Sequence, residues 1–156
     1  MTLRPARLED TQTVYRWICD PQVRAAAFSS EPIPPETHAA WFARKLADPS
    51  SLYWIAEDPA GIPVGQVRIE RGAEGAEISI VIGEAARGRG VGSAVLRLAG
   101  ARYRSESGEQ RLLAFVRADN PASTRAFEKA GFTRAGDAII KGVAALRFVL
   151  SGSPRR

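Results

Sequence analysis

The sequence has very few residues that could bind a metal ion or form a disulfide. It contains one cysteine, Cys19, and one histidine, His38, in 156 residues. A single cysteine cannot form an intrachain disulfide, and one cysteine with one histidine falls short of the ligand set of a zinc site. We therefore expect no resident metal ion, and we expect Cys19 to fill a small apolar position in the interior.

Long apolar segments are also missing. No stretch approaches the roughly 20 apolar residues that cross a bilayer, and the first five residues lack the apolar run of a secretory signal. These absences predict no membrane association and a cytoplasmic location. Apolar residues still make up 45% of the chain, so we expect a single domain over residues 1–150. The Ser/Gly/Pro-containing tail, residues 151–156, is expected to be disordered.

The net charge of +5 is not concentrated in one segment. Lysines and arginines are spread along the chain, unlike the basic runs that are typical of proteins that bind nucleic acids. We interpret the charge as a weak general attraction for anions, and nucleic-acid binding is not expected as the main role.

The first half of the chain predicts two helices and a set of antiparallel strands. A short strand over Thr2–Arg7 precedes a helix that Asp20-Pro21 interrupts, and a second helix carries Trp41, Phe42 and Leu46 on one side. Three further strands are joined by short turns, which predicts an antiparallel meander. These strands are Ser51–Asp58, Pro63–Glu70 and Glu77–Ile82.

The second half changes to a strand–helix–strand pattern. After the strand that ends at Ile82, the sequence predicts a helix over Val91–Arg104, a strand over Leu112–Val116, a helix over Pro121–Ala130 and a last strand over Ala144–Leu150. A βαβ crossover makes its two strands parallel. The predicted fold class is therefore mixed α/β, with an antiparallel meander followed by one parallel pair.

The segment Arg87-Gly88-Arg89-Gly90-Val91-Gly92-Ser93 has the composition of an anion-binding loop. Its glycines let the backbone approach a ligand closely, and the helix that begins here points unpaired N–H groups into the loop. The two arginines can add charge-assisted hydrogen bonds. A Walker A loop would need a lysine after Gly92, and a dinucleotide fingerprint would need glycine or alanine at Ser93, so neither motif is present. A tight turn into a surface helix is the alternative interpretation.

Asn120 follows the second parallel strand and precedes a helix that begins with Pro121. This pair is typical of an N-cap followed by proline at the first helical position. Because ligands of α/β units bind at the carboxyl ends of the strands, Asn120 can also face a ligand held by the glycine loop.

These motifs resemble the signatures of the GNAT family of N-acetyltransferases. The resemblance rests on Arg87-x-x-Gly90-x-Gly92, on Asn120-x-x-Ser123 and on Ala126-Phe127-Glu128-Lys129-x-Gly131-Phe132. It implies a GNAT-like single domain with a mostly antiparallel central sheet, one parallel pair and about four flanking helices. It also implies acetyl-CoA as co-substrate, with the loop amides on the pyrophosphate and the preceding strand paired to the pantetheine arm. The residues implied to bind the cofactor are Ile80, Val81, Ile82, Arg87, Gly88, Arg89, Gly90, Val91, Gly92, Ser93, Asn120, Ser123 and Phe127.

The chain departs from the family pattern at Phe127. Many members have a tyrosine here that protonates the leaving thiolate, and phenylalanine has no proton to give. The general acid is therefore not assigned from the sequence.

Two interpretations of Glu77 are open. Transfer of an acetyl group to a primary amine requires that the amine lose a proton, and a carboxylate can accept it. Glu77 opens the strand that leads to the glycine loop, where some family members place the general base; it can equally be a charge at the strand edge paired with an arginine. Backbone N–H groups at Val81 or Ile82 can stabilise the oxyanion. His38 is a second candidate for proton transfer or a residue of the helix surface.

The acceptor is expected to be a small-molecule amine bound by the first third of the chain. The segments from Tyr15 to Arg24, His38-x-x-Trp41-Phe42 and Gly65-x-Val67-Arg68 resemble the branch that acetylates nucleotide-linked amino sugars, as in pseudaminic acid synthesis. The resemblance implies that Trp17, Arg24, His38, Trp41 and Arg68 bind the substrate. Three alternatives are open: an acetyltransferase of peptide N-termini, a non-catalytic acyl-CoA sensor and a basic RNA-binding module. We expect a monomer or a homodimer.

Overall fold

The computed structural model describes residues 1–29 and 31–152. Its strands are β1 (Thr2–Pro5), β2 (Ser51–Glu57), β3 (Pro63–Gly72), β4 (Gly75–Ile82), β5 (Leu112–Arg117), β6 (Thr133–Ile140) and β7 (Val143–Leu150). Its α-helices are α1 (Thr11–Cys19), α2 (Pro21–Ala26), α3 (Pro35–Ala47), α4 (Val91–Ser107) and α5 (Pro121–Lys129), with short 3-10 turns over Leu8–Asp10 and Glu84–Ala86. Most of the predicted tail, residues 153–156, lies outside the described residues.

One sheet contains every strand, in the order β1-β2-β3-β4-β5-β7-β6. Strands β1 to β4 form an antiparallel meander, β4 pairs parallel with β5, and the β6–β7 hairpin adds to the far side of β5. The predicted fold class, a mostly antiparallel sheet with one parallel pair, is confirmed. The described residues contain five α-helices where about four were expected.

Two elements were not predicted from the sequence. Helix α2 has six residues, none of them buried, so no apolar periodicity marks it. Strand β6 is an edge strand with six of its eight residues exposed, and its register shifts between Arg134 and Asp137. A strand without an inward-facing apolar set lacks the alternation by which strands are recognised.

The two faces of the sheet pack against different helices. Side chains of successive strand residues point to opposite faces, and Trp54 and Ala56 join the core under α4 and α5, whereas Tyr53 and Ile55 join a smaller cluster with Val14 of α1 and Phe42 of α3. Helices α1 and α3 therefore cover one face, and α4 and α5 cover the other.

Two features of the helices bear on the expectations from composition. None of the helices in the described ranges is both long and apolar enough to span a membrane. The expectation of a buried Cys19 is wrong, because this last residue of α1 is exposed.

Candidate active site

A cleft opens where the parallel strands separate. Strands β4 and β5 pair only through Ala76 with Leu112 and Glu77 with Leu113. Beyond Glu77, β4 stays paired with β3 as far as Ile82, and β5 stays paired with β7. Each strand thus keeps one partner, and the edges that face each other are free to pair with an extended ligand.

The cleft has a volume of about 870 Å³, which lies within the usual range for small-molecule sites. Four parts of the chain line it: the end of β4, the glycine loop with the start of α4, helix α5 and helix α2. Of the residues predicted to bind the cofactor, the cleft brings together Ile80, Val81, Ile82, Arg87, Gly88, Gly90, Val91, Gly92, Ser93, Asn120 and Ser123.

The glycine loop presents its main-chain amides to this cleft. Gly88 and Gly90 have φ angles of 76° and 73°, in the left-handed region that favours glycine, and a Cβ at either would have no neighbour within 4 Å. Within residues 1–29 and 31–152, the N–H groups of residues 88–93 donate to no protein acceptor, and the first helical bond runs from the Ala94 N–H to the Gly90 carbonyl. Together with the dipole of the 17-residue helix α4, these N–H groups form an anion site.

Helix α5 closes the other side of the cleft. The side-chain oxygen of Asn120 caps the helix by accepting a hydrogen bond of 3.2 Å from the Ser123 N–H, with Pro121 at the first helical position. Arg125 and Lys129 also line the cleft and were missed from the sequence. Their spacing of four on a helix that starts at Pro121 is the signal that could have placed them on one face.

Arg87 borders the cleft, but its guanidinium contacts protein groups at the start of α2 and at the end of β4. Nη2 lies 2.9 Å from Oδ2 of Asp20, Nη1 donates to the Gln22 side-chain oxygen at 2.7 Å, and Nε donates to the Ile82 carbonyl at 3.2 Å. The guanidinium holds the pKa of Asp20 below its usual value. The charge-assisted bonds expected from Arg87 to a phosphate are thus made to protein. The other loop arginine, Arg89, is exposed and does not line the cleft.

Phe127 does not line the cleft. Its ring is 4% exposed and packs edge-on against Phe132 at 5.1 Å and stacked on Phe148 at 5.9 Å between ring centroids. The structure therefore places this predicted cofactor residue in the core, because a phenyl ring gains more from apolar burial than from a polar cleft.

Glu77 lies at the closed end of the gap and outside the cofactor cleft. It borders a separate depression with Glu70, Glu74 and Phe115. Partial burial of the carboxylate, with the negative charge of Glu70, raises the pKa of Glu77, and Arg68 opposes the shift. Glu77 shares a sheet face with Val81, four residues and about 13 Å along the strand. A proton from an amine at Val81 can reach Glu77 only through water.

The five residues predicted to bind the acceptor do not form one site. Trp17 packs against the backbone of Gly83 at the end of β4, where a Cβ on the glycine would lie 2.7 Å from the indole nitrogen. Arg24 donates to the carbonyls of Ser29 and Glu31, both at 2.7 Å, and so holds its own loop.

The other three lie together where α3, which carries His38 and Trp41, packs against β3, which carries Arg68. His38 is 2% exposed among the rings of Tyr15, Trp41 and Phe42, at centroid distances of 5.3 to 5.9 Å. Neither of its ring nitrogens has a hydrogen-bond partner within the described residues, and burial lowers its pKa. The Arg68 guanidinium stacks 4.8 Å from the Trp41 ring centroid. These side chains contact one another, and the buried imidazole is closed to a ligand.

Comparisons with known proteins agree with this fold. A sequence model described as the acetyltransferase (GNAT) domain matches residues 1–133. YwnH of Bacillus subtilis, provisionally named a phosphinothricin acetyltransferase, is 35% identical over 152 residues, covering 92% of this chain and 90% of that protein.

Two solved structures show the same architecture. One, provisionally named a phosphinothricin N-acetyltransferase, is 30% identical with a TM-score of 0.77, covering 98% of this chain and 99% of that one. The spermidine N-acetyltransferase of Vibrio cholerae in complex with CoA and spermine is 17% identical with a TM-score of 0.84, covering 96% and 94%. The prediction of an acyltransferase is confirmed. The family model matches residues 1–133, and YwnH is 35% identical over nine-tenths of its length. We conclude that the chain belongs to the GNAT family of acetyltransferases.

Proposed function

We propose that this chain transfers the acetyl group of acetyl-CoA to the primary amine of a small molecule. The observation that carries the proposal is the row of unpaired amides over residues 88–93, at the start of α4 and beside the gap between β4 and β5. An anion site next to an unpaired strand edge suits a ligand with a diphosphate followed by an amide-containing arm.

The lining residues fit coenzyme A along the whole cleft. The loop amides would hold the pyrophosphate, and Arg125 and Lys129 supply positive charge on the α5 side for a further phosphate. The free edge of Ile80–Ile82 would pair with the pantetheine amides, opposite the capping residue Asn120. The bound thioester is the acyl donor for the reaction.

The amine would approach from the sheet face that carries Glu77, Ser79 and Val81, because the other face is filled by α4 and α5. The Val81 N–H is turned toward β3, because the Gly83 N–H bonds to the Val64 carbonyl and Gln66 pairs with Val81 two residues along. The N–H of Ile82, on the free edge, stabilises the negative charge that develops on the carbonyl oxygen. Glu77 accepts the amine proton through water, and its raised pKa brings it nearer to the pH at which a base is effective. With Phe127 buried, the thiolate leaves without a tyrosine at that position; a free thiol has a pKa near 8.5, so it leaves with modest assistance.

The acceptor class is proposed more broadly than the sequence predicted. The nucleotide-linked amino sugar was expected to contact His38 and Trp41, and these side chains pack against protein groups instead. The two relatives above that are at least 30% identical are both named for phosphinothricin, a small amino acid. A small amine with an acidic group is therefore the first acceptor to test, and the nucleotide-linked amino sugar is the second.

Turnover on a panel of amines tests the proposal. Purified protein with acetyl-CoA is offered phosphinothricin, a nucleotide-linked 4-amino sugar, spermidine and a peptide with a free N-terminus, and the acetylated product is measured by mass spectrometry. We expect a small amine to exceed the peptide at least tenfold in kcat/KM. The peptide as best acceptor would favour the N-terminal acetyltransferase alternative. Coenzyme A binding without product from any amine would favour the sensor.

A further inference from the structure

Helix α2 forms one wall of the cleft, yet it has little of its own to hold it in place. It has six residues, none of them buried. Isolated helices shorter than about 12 residues are marginal in water. Gln22, Val23, Ala25 and Ala26 of α2 nevertheless line the cleft, together with Ala27. The position of this wall must therefore be set by contacts at its ends.

The first end is held from the loop that follows β4. Asp20 uses one carboxylate oxygen, Oδ1, to cap α2 by accepting from the Gln22 N–H at 2.9 Å. Its other oxygen, Oδ2, pairs with Arg87 at 2.9 Å, and Arg87 also binds Gln22 and the Ile82 carbonyl. The Asp20 and Arg87 side chains are only 14% and 25% exposed, so solvent screens the pair less than an open surface pair.

The second end is held from the end of β5. Arg117 donates to the carbonyl of Ala27, the residue that ends α2, at 3.0 Å. Asp119 fixes the orientation of this guanidinium with two contacts, at 2.9 and 3.0 Å. The loop after β4 and the end of β5 therefore each supply an arginine to one end of α2.

We propose that Arg87 and Arg117 are positioning residues that hold α2 across the gap, and that the Arg87–Asp20 pair sets the amine-side wall of the cleft. A carboxylate at 2.9 Å neutralises most of the field of Arg87, so this arginine contributes little to phosphate binding. The effect on amine transfer rests on the proposed function, whereas the effect on α2 itself does not.

A double-mutant cycle on the pair tests the proposal. Asp20→Asn keeps an N-cap, because asparagine caps as well as aspartate, and removes only the charge. Arg87→Gln removes the other partner. We expect each single variant, and the double variant to no greater extent, to lower kcat/KM for the amine about tenfold, between the values for an exposed and for a buried ion pair. The dissociation constant of coenzyme A, measured by calorimetry, should change less than threefold.

A matched control is Asp137→Asn, which breaks a pair of the same length, 2.9 Å, with Arg134 on the exposed β6 strand. Asp137→Asn should change neither kcat/KM for the amine nor the dissociation constant of coenzyme A. A loss of coenzyme A affinity of tenfold or more in Arg87→Gln, but not in Asp20→Asn, would assign Arg87 to the phosphates and overturn the proposal.

Hydrogen exchange separates this inference from the proposed function. Amides of residues 22–27, followed by mass spectrometry, should exchange faster in Asp20→Asn and Arg87→Gln than in wild type, with exchange in the sheet unchanged. If wild type acetylates no amine, the proposed function fails, and the exchange data still decide whether the pair holds α2. Unchanged exchange in residues 22–27 would overturn the proposal whatever the activity.

Discussion

The proposed cofactor side and the proposed amine side of this protein differ in the groups that they offer to a ligand. On the cofactor side, these groups are main-chain amides at the start of α4 and the free edge of β4, and their positions follow from local backbone conformation. On the amine side, polar and aromatic side chains contact one another, as His38 and Trp41 of α3 and Arg68 of β3 do. A site made of backbone is conspicuous in a sequence, whereas a site made of side chains depends on which of them the fold leaves free.

Loss of the left-handed glycine should have the largest effect, and it tests the cofactor side directly. Gly90→Val should weaken coenzyme A binding about a hundredfold, because a side chain at φ 73° displaces the loop from two or more charge-assisted hydrogen bonds of about 1.5 kcal/mol each. Calorimetric titration measures the change. Gly142→Val is the matched control, since Gly142 has a φ of 79° and an equally open Cβ position in the β6–β7 turn. An equal loss of affinity in the control, or none at Gly90, would contradict the loop assignment.

Glu77 should affect turnover and leave cofactor affinity alone. Glu77→Gln should lower kcat about a hundredfold, the lower range for a general base, with the dissociation constant of coenzyme A unchanged. The active form is the carboxylate, so wild-type kcat/KM should fall as the pH drops through the raised pKa of Glu77. Glu74→Gln, in the same depression, is the control and should keep wild-type kcat. Wild-type rates in Glu77→Gln at every pH would exclude Glu77 as the base.

His38 should govern stability at acid pH and have no effect on catalysis. Burial lowers its pKa in the folded state, so the unfolded state binds the proton more readily and stability falls as the pH drops below about 6.5. His38→Leu, a change of similar volume that removes two unpartnered nitrogens, should keep the free energy of unfolding at pH 8 within about 1.5 kcal/mol of wild type.

Urea unfolding at pH 8 and pH 5.5 measures this effect. His38 is the only histidine, so a difference between wild type and variant in how the free energy of unfolding changes with pH can be assigned to it. The variant should lose less stability than wild type between the two pH values. A tenfold rise in the KM for the amine in His38→Leu would instead return His38 to the acceptor site.

The smallest effect is expected at Arg68. Arg68→Met removes a cation–π contact with Trp41 and should cost about 0.5–1 kcal/mol of stability, with the KM for the amine unchanged. Arg102→Met is the comparison, because Arg102 also stacks on a tryptophan, 4.7 Å from the Trp54 ring centroid, on the opposite face of the sheet. Arg102 also pairs with a glutamate. A rise in the amine KM at Arg68 alone would show that this arginine binds the acceptor.

Much of the fold could be predicted because most elements carry their own signal. Strands β3 and β4 show apolar alternation and β2 is a continuous apolar run, all bounded by turns. Helix α5 has asparagine and proline at its start and a glycine after its end. Helix α2 and strand β6 carry no such signal. The first is held by Arg87 and Arg117 from distant strands, and the second has six exposed residues out of eight.

In the candidate site, too, the groups set by local sequence could be predicted and those set by distant contacts could not. Main-chain groups at residues 80–82 and 88–93 lie where the motif predicted, because glycine conformation and a helix start are local properties. The role of Arg87 could not be predicted, because Asp20 is 67 positions away in sequence and reaches the guanidinium only after α1 packs onto the sheet. Phe127 lies in the core against Phe148 of β7, as an apolar aromatic side chain predicts, although the family motif implied contact with the cofactor.

By itself, the sequence determined the order of most elements and the conformation of the loop that presents its amides, since both depend on neighbouring residues. Only the tertiary structure decided where β4 and β5 separate, which helix covers the gap and which charged side chains remain free for a ligand. Those outcomes depend on pairs of residues far apart in the chain, and the free energy of a contact exists only once packing has brought its two partners together.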